Sequence, residues 1–430
     1  MRIRTGRLSK SRSNTEHGEK KQLRRFSVRA ARFCAFSWIH ETIDPFIGDA
    51  LLKPAWPLQG PIKSTSEIAR TNSTHSVYTF RGLEDDWNPR ETLTYTRLMR
   101  ALVYTAPGRV ELEQHARPAP QAGEEEIAIE VAGVCGSDIS GFLGHSALRR
   151  PPLVLGHELV GRRYGGRRVV ANPLVSCGRC EACISGAQNL CDSWRLLGLG
   201  TTPGTFAEYV ALPSAQVYEI PDSLTMEQAI LAEPLANIVH LFRIVSPPPF
   251  FRLAIVGAGT MGALALSAGL RIGARDVLSA DINDHRLAIM RQLGASATVN
   301  AAVPQAVAEA QRAAGRGYDV VIDASGSPAA RQLAFDFCRP GGQVVLLGMG
   351  AQRSEVNFVT SIRKEHRVVM SFAYTPVDFK RSLDLLIAGQ IDLTPWTVRM
   401  PLERGQEALE RMSSDPGTSL KMMLEVAAAS

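Results

Sequence analysis

The feature that most constrains this chain is a short apolar run that breaks into closely spaced glycines. Leu253-Ala254-Ile255-Val256 leads directly into Gly257-Ala258-Gly259-Thr260-Met261-Gly262, and an apolar stretch with helical spacing follows. A strand that turns into a helix through three glycines at this spacing fits a β-strand, tight turn and helix N-terminus at the start of a βαβ unit. The first glycine permits the turn, the second admits a close approach to the backbone, and the third lets helix and strand pack closely. The same alternation continues through residues 236–372. Apolar strands LAIVG, DVLSAD, DVVIDAS and QVVLLGM are separated by the helical stretches MGALALSAGLRIG, HRLAIMRQLG and PAARQLAFDF. Strands alternating with helices predict a doubly wound parallel sheet covered on both faces.

The glycine turn has the chemistry of a dinucleotide site, because free N–H groups at the helix N-terminus face a pyrophosphate. Asp281 ends the next strand about 20 residues on, where a carboxylate accepts the ribose hydroxyls. The same carboxylate repels a 2′-phosphate, so NAD is expected over NADP. Arg286, a few residues further, keeps NADP as the lesser alternative. Without a nucleotide, Asp281 would be a cap of the following helix. The cofactor-binding candidates are therefore Gly257, Gly259, Gly262, Asp281 and Arg286.

Cysteine supplies the second constraint. The chain has seven, and four of them, Cys177, Cys180, Cys183 and Cys191, fall within one short loop. Two-residue spacers let successive thiolates converge on one tetrahedral zinc, and four thiolates leave no open position, so this site is expected to be structural. Clustering of this kind in a large chain without a signal peptide indicates metal rather than disulfides and a reducing cytoplasm. A dispersed set has different chemistry: Cys135 in VCGSD, His157 and Glu158 in LGHE, and Glu233 in EPL. Thiolate, imidazole and carboxylate together suit a catalytic zinc, which needs about three protein ligands and one exchangeable position. Spacing alone does not decide between that centre and unrelated loop residues.

Charge excludes one class of partner. The chain of 430 residues carries +6, but residues 1–98 hold 17 Lys+Arg against 10 Asp+Glu, leaving 31 against 32 elsewhere. The enzyme-like part has no basic field to bring it to nucleic acid. No run of 18 apolar residues indicates a membrane span. Residues 1–98, rich in Arg, Lys and Ser and without sustained periodicity, are expected to be a disordered extension or a misassigned start, with Met99 a candidate first residue. An organelle presequence is the alternative, opposed by Glu16 and Glu19. Residues 99–235 read as short strands broken by Gly and Pro.

The order VCGSD, GHE, four-cysteine loop, GTFAEYV, EPLA, GAGTMG and RPGGQVVLLG resembles the zinc-containing medium-chain dehydrogenase/reductase family. It is most similar to the sorbitol, threonine and butanediol dehydrogenase branch. The resemblance covers about residues 99–427. It implies a GroES-like β-rich catalytic domain from residues 99–235 and 373–430, with a Rossmann NAD-binding domain at 236–372 between them. It implies a catalytic zinc on Cys135 and His157, with Glu158 as a ligand and Glu233 either binding the metal or holding its water. Asp138 then accepts the second ring N–H of His157. Ser137 is placed to relay the substrate proton.

The implied reaction transfers hydride between a secondary alcohol or polyol and NAD. The small-molecule substrate is a sugar alcohol or vicinal diol, favoured by Glu233 and the SFAYT stretch at 371–375. A threonine-type or simple alcohol dehydrogenase, or a non-catalytic nucleotide-binding relative, is the alternative. A homodimer or homotetramer is implied, often through edge strands of the Rossmann sheets. Many relatives carry His where this chain has Ser140, so the outer relay must differ, with His145 or water in its place. Phe142 is a candidate pocket residue; Cys338 and Pro247-Pro248-Pro249 are read as structural.

Overall fold

The computed structural model describes residues 97–414, 417 and 419–426. The expectation for residues 1–98 therefore lies outside the described residues except at its last two positions, and Leu98 already opens the first strand, Leu98–Ala106.

A six-stranded sheet forms the nucleotide side of the molecule. Its spatial order is Ala297–Asn300, Asp276–Asp281, Arg252–Val256, Tyr318–Asp323, Cys338–Leu346, Arg367–Met370, and every pair is parallel. The sheet's first strand in sequence, Arg252–Val256, is central and the order reverses beside it, which opens a crevice at the carboxyl ends of Arg252–Val256 and Tyr318–Asp323. Both faces are covered, so the central strands are apolar almost throughout: Leu253, Ile255, Val320 and Ile322 are completely buried. Helix starts follow local chemistry. Ser327 caps Pro328–Phe337 by accepting from the Ala330 N–H, with Pro328 at the first position, where its missing N–H costs nothing.

The other half is built on antiparallel strands. Glu124–Val134 is its longest, and it pairs with Glu158–Arg163, with Tyr209–Pro213 and with Lys421–Glu425. The partner from the chain's end returns after the nucleotide sheet is complete, so residues distant in sequence share one ladder. Between Arg163 and Arg168 the reversal is short and uses Gly165 and Gly166 at positive φ.

Helix Ala232–Val245 carries the chain from one half to the other, across residues 235 and 236. It packs against Pro376–Ile387 and against Thr260–Arg271. Leu235, Ile238 and Leu241 share one core with Phe379, Leu383 and Leu386. An ion network around the buried Asp378 locks the first two helices: Asp378 accepts from Nε of the exposed Arg243 at 2.8 Å and pairs with His240 Nδ1 at 2.8 Å. The stretch Met226–Val245 is 20 residues long and apolar enough by composition to cross a membrane, yet 72% of its apolar window is buried inside the fold, as befits a core helix. The helix ends at Ser246, at φ 45, just before the three prolines. Phe142 is 2% exposed and belongs to the core of the antiparallel half rather than to an open pocket.

Candidate active site and metal centres

Strand register assembles the dispersed set. Gly133 faces Glu158 across the ladder, so Cys135, just past the end of one strand, and His157, just before the start of the other, emerge from the same edge. Ligand atoms of Cys135, His157 and Glu158 all lie within 4.8 Å of one another. The glycine at the paired position is required, because a Cβ on Gly133 would sit 1.9 Å from Glu158 Oε2.

Each candidate ligand is held from behind. The Asp138 carboxylate is fully buried, lies 3.3 Å from His157 Nδ1 and accepts the Cys135 N–H at 3.0 Å. That arrangement directs the other ring nitrogen of His157 to the centre. Burial pushes the Asp138 carboxyl up, but the facing imidazole, Arg149 and the Cys135 N–H outweigh it and hold the group at about 2. For His157, burial acts downward, and Asp138 overcomes it to raise the imidazole well above its ordinary value. Glu158 Oε2 is paired with the ammonium of Lys421, whose Nζ also donates to the Val134 carbonyl at 3.1 Å. Lys421 and Glu158 are each 1% exposed. Burial raises the Glu158 pKa, Lys421 opposes the rise, and the nearby Glu233 adds to it.

Glu233 stands on the first turn of helix Ala232–Val245 and is outside the three-residue cluster. Its Oε1 accepts from the Tyr374 hydroxyl at 2.9 Å, so a buried phenol fixes this carboxylate beside the centre. Burial, with Glu233 adding to it, raises the Tyr374 pKa well above its ordinary value and keeps the phenol a donor.

These residues fit a divalent cation. One thiol and two carboxyl groups would present three negative charges when all are ionised, and Lys421 supplies one positive charge. Glu158 Oε1 is buried without a hydrogen-bond partner. Buried charge without balance is strongly destabilising, and zinc supplies the missing two charges on a soft and hard donor set that it accepts.

The four-cysteine loop is equally well formed. Sulfurs of Cys177, Cys180, Cys183 and Cys191 lie within 4.8 Å of one another, and all four cysteines are free of disulfide bonds. Backbone N–H groups point at the sulfurs: Cys177 N–H at Cys191 Sγ, 3.2 Å, and Ser193 N–H at the same atom, 3.3 Å. N–H groups of Arg179 and Cys180 pull the Cys177 thiol down to about 6, as suits a thiolate ligand. Asn189, inside this loop, donates to the Phe372 carbonyl at 2.8 Å and so ties the loop to the end of the nucleotide sheet.

At the nucleotide crevice, Gly257 has φ +110, which an L side chain rarely adopts, and its N–H donates to the Ala280 carbonyl at 2.8 Å. A Cβ on Gly262 would lie 1.9 Å from the Gly257 carbonyl oxygen, whereas one on Gly259 would meet nothing within 4 Å. The third glycine therefore serves packing, and the second leaves open space where a phosphate can approach. Asp281 accepts from the Ala258 N–H at 2.6 Å and the Asn283 N–H at 2.9 Å, at the tip of its strand. The helix cap is Asn283, which accepts from the Arg286 N–H, so Asp281 does not act as that cap. Arg286 is half-buried on the same helix. Thr260, the first residue of the glycine-turn helix, donates its hydroxyl to the Leu420 carbonyl, one residue from Lys421. His145 is exposed.

Sequence reasoning missed Lys421, Gly133 and Arg149 as parts of the site, and marked Tyr374 only as part of the SFAYT stretch. Lys421 had a signal: a single lysine inside the apolar run LKMMLEV is a charge that must be buried with a partner. The others depend on register and long-range packing.

Residues 121–222 match the family description "Alcohol dehydrogenase GroES-like domain", and residues 260–388 match "Zinc-binding dehydrogenase". The chain is 32% identical over 316 residues to "Probable D-xylulose reductase A" of Aspergillus clavatus, covering 68% of this chain and 87% of that one. It is 30% identical over 354 residues to sorbitol dehydrogenase of Bacillus subtilis, covering 77% of this chain and 99% of the relative. A solved structure of a Sinorhizobium meliloti protein assigned to the zinc-binding dehydrogenases and bound to NADP aligns with TM-score 0.70 at 28% identity, covering 77% of this chain and 100% of that one.

Proposed function

The chain belongs to the zinc-containing medium-chain alcohol dehydrogenase family, in its polyol branch, and from that membership we propose a two-zinc, NAD-preferring enzyme for sugar alcohols or vicinal diols. It is a polyol oxidoreductase of the NAD(P)-linked type. The observation that carries the finer reading is the buried cluster of Cys135, His157 and Glu158, with Glu233 fixed beside it by Tyr374.

Cys135, His157 and Glu158 would hold the catalytic zinc. A zinc held there would polarise the substrate hydroxyl and lower its pKa. Asp138 keeps His157 in the tautomer that offers a lone pair to the metal. Lys421 occupies one oxygen of Glu158 and leaves the other for ligation. Glu233, with an oxygen already engaged by Tyr374, is suited to hold the water or hydroxyl at the exchangeable position. Ser137, two residues past Cys135, accepts the substrate's proton. Cys177, Cys180, Cys183 and Cys191 would hold the structural zinc.

Gly257, Gly259 and Gly262 shape the pyrophosphate cradle. Asp281 at the strand tip favours the two free hydroxyls of NAD and repels the phosphate of NADP. Among the described residues the edge strand Arg367–Met370 has one neighbour, and it exposes Val368 at 44% and Met370 at 76%, beside Ile362 at 73%. That edge supports assembly into a homodimer, or a tetramer built from it.

The test is paired. Metal analysis should find two zinc ions per chain, and kcat/KM should be higher with NAD than with NADP, with Asp281→Ser narrowing or reversing the ratio. One zinc per chain, or a preference for NADP, overturns the corresponding part.

A further inference from the structure

A second buried cation stands at the metal site. Arg149 follows an exposed loop, yet it is only 6% exposed. Its stem lies across the short helix Gly136–Phe142, in the space that Gly141 leaves: a Cβ there would sit 2.4 Å from Arg149 Cδ. The head of the side chain meets two residues of that helix. Nη2 donates to Ser137 Oγ at 3.1 Å and lies 3.6 Å from Asp138 Oδ1. Asp138 in turn holds His157. Among the described residues the Nε–H is buried without a hydrogen-bond partner.

Guanidinium carries donors only and stays protonated at any working pH. By donating to Ser137 Oγ it uses one acceptor position of the hydroxyl and forces the hydroxyl's own proton to point elsewhere. It cannot itself accept a proton from Ser137. Burying a permanent charge is costly, and an apolar side chain would fill the same volume more cheaply. The charge is retained where it touches the hydroxyl next to one metal ligand and the carboxylate behind another.

We propose that Arg149 is the positioning residue of the proton-transfer step: it fixes the Ser137 hydroxyl toward the substrate and braces the Asp138–His157 pair with the same nitrogen. This rests on the reading of Ser137 given above. In alcohol oxidation the substrate O–H bond breaks, its proton passes to Ser137 Oγ, and the proton already on Ser137 passes to water. The O–H electron pair forms the carbonyl as the carbinol hydride leaves to the oxidised nicotinamide. Arg149 ends the step as it began, so the onward proton path runs to solvent and not through the arginine.

The experiment is a four-cornered cycle on zinc-loaded protein: parent, Arg149→Met, Ser137→Ala and the double variant, with zinc content and unfolding midpoint recorded for each. Arg149→Met should lower kcat roughly a hundredfold, the scale of a misplaced reacting group, with a much smaller change in KM. In the Ser137→Ala background the same substitution should cost far less, leaving only the loss of the brace on Asp138 and His157. Guanidinium ion added to Arg149→Ala should restore turnover, and urea, equal in shape but uncharged, should not. Affinity for a non-oxidisable fluorinated alcohol in the complex with oxidised cofactor, read by protein fluorescence, should fall with kcat. Arg149→Lys, which keeps the charge without the planar fork, should recover part of the loss and carries the cycle if Arg149→Met does not retain zinc. Independent losses in the two backgrounds, equal rescue by urea, or unchanged kcat in Arg149→Met overturn the proposal. An unaffected Ser137→Ala overturns the reading of Ser137 itself.

Discussion

Two buried carboxylates near the catalytic centre are balanced in different ways, and the difference predicts how each fails. Asp138 is held at about 2, below its ordinary value of about 3.9. Its stabilisation is therefore complete above about pH 4 and is lost as the pH falls toward 2, a contribution of about 2 kcal/mol. Asp138→Asn should remove that acid dependence from the metal-free protein. It should also weaken zinc binding about 10–100-fold, the usual cost of losing the group behind a histidine ligand; denaturant unfolding across pH and competition with a chelator check the two effects. Glu158 is balanced chiefly by Lys421, with His157 adding to it, until metal arrives. Lys421→Met leaves that carboxylate buried and unpaired, so the metal-free protein should lose about 3–5 kcal/mol. The loss should be smaller with zinc present, because the ion supplies charge of the same sign; unfolding curves with and without zinc measure the difference.

At the scale of elements, the centre exists because two strands pair in one register. Gly133→Ala keeps the strand but places a methyl group 1.9 Å from Glu158 Oε2. The carboxylate must move, so zinc affinity should fall while the fold persists; chelator competition and far-UV circular dichroism report the two separately. Local signals made much of this legible in the sequence. LAIV with its three glycines, and Cys177 to Cys191 at two- and seven-residue spacers, carry their geometry in their own spacing. Cys135 and His157 do not, and their meeting follows from the ladder between Glu124–Val134 and Glu158–Arg163. Lys421 reaches Glu158 only because the last described strand joins that ladder from the opposite side. Phe142 reads as a pocket residue from its neighbours in sequence, but a helix of seven residues turns it into the core. Nothing local in the sequence separates Arg149 from the exposed Arg150; the space at Gly141 and the contacts to Ser137 and Asp138 do so in the fold.

Across the whole molecule, the nucleotide and metal sites are joined by few but specific ties. Thr260 at the glycine turn bonds Leu420, next to Lys421, and Asn189 in the four-cysteine loop bonds Phe372 at the end of the nucleotide sheet. Helices Ala232–Val245 and Pro376–Ile387 share a core and the Asp378 ion network. The open edge Arg367–Met370 offers unpaired backbone groups to a second copy. Val368→Pro removes one N–H from that edge and should shift the protein toward monomer without loss of the zinc in the four-cysteine loop; sedimentation and metal analysis check both halves.

Zinc-dependent oxidation of a polyol at the Cys135, His157 and Glu158 centre is the central proposal. Reduction of NAD should be followed with sorbitol, xylitol, a vicinal diol, threonine and a simple secondary alcohol, on protein as purified, after chelation, and after zinc is returned. Turnover with polyols or the diol that disappears on chelation and returns with zinc is the predicted result. Zinc-replete, folded protein that oxidises none of the polyols or the diol, or oxidises them equally well after that centre's zinc is removed, would contradict it.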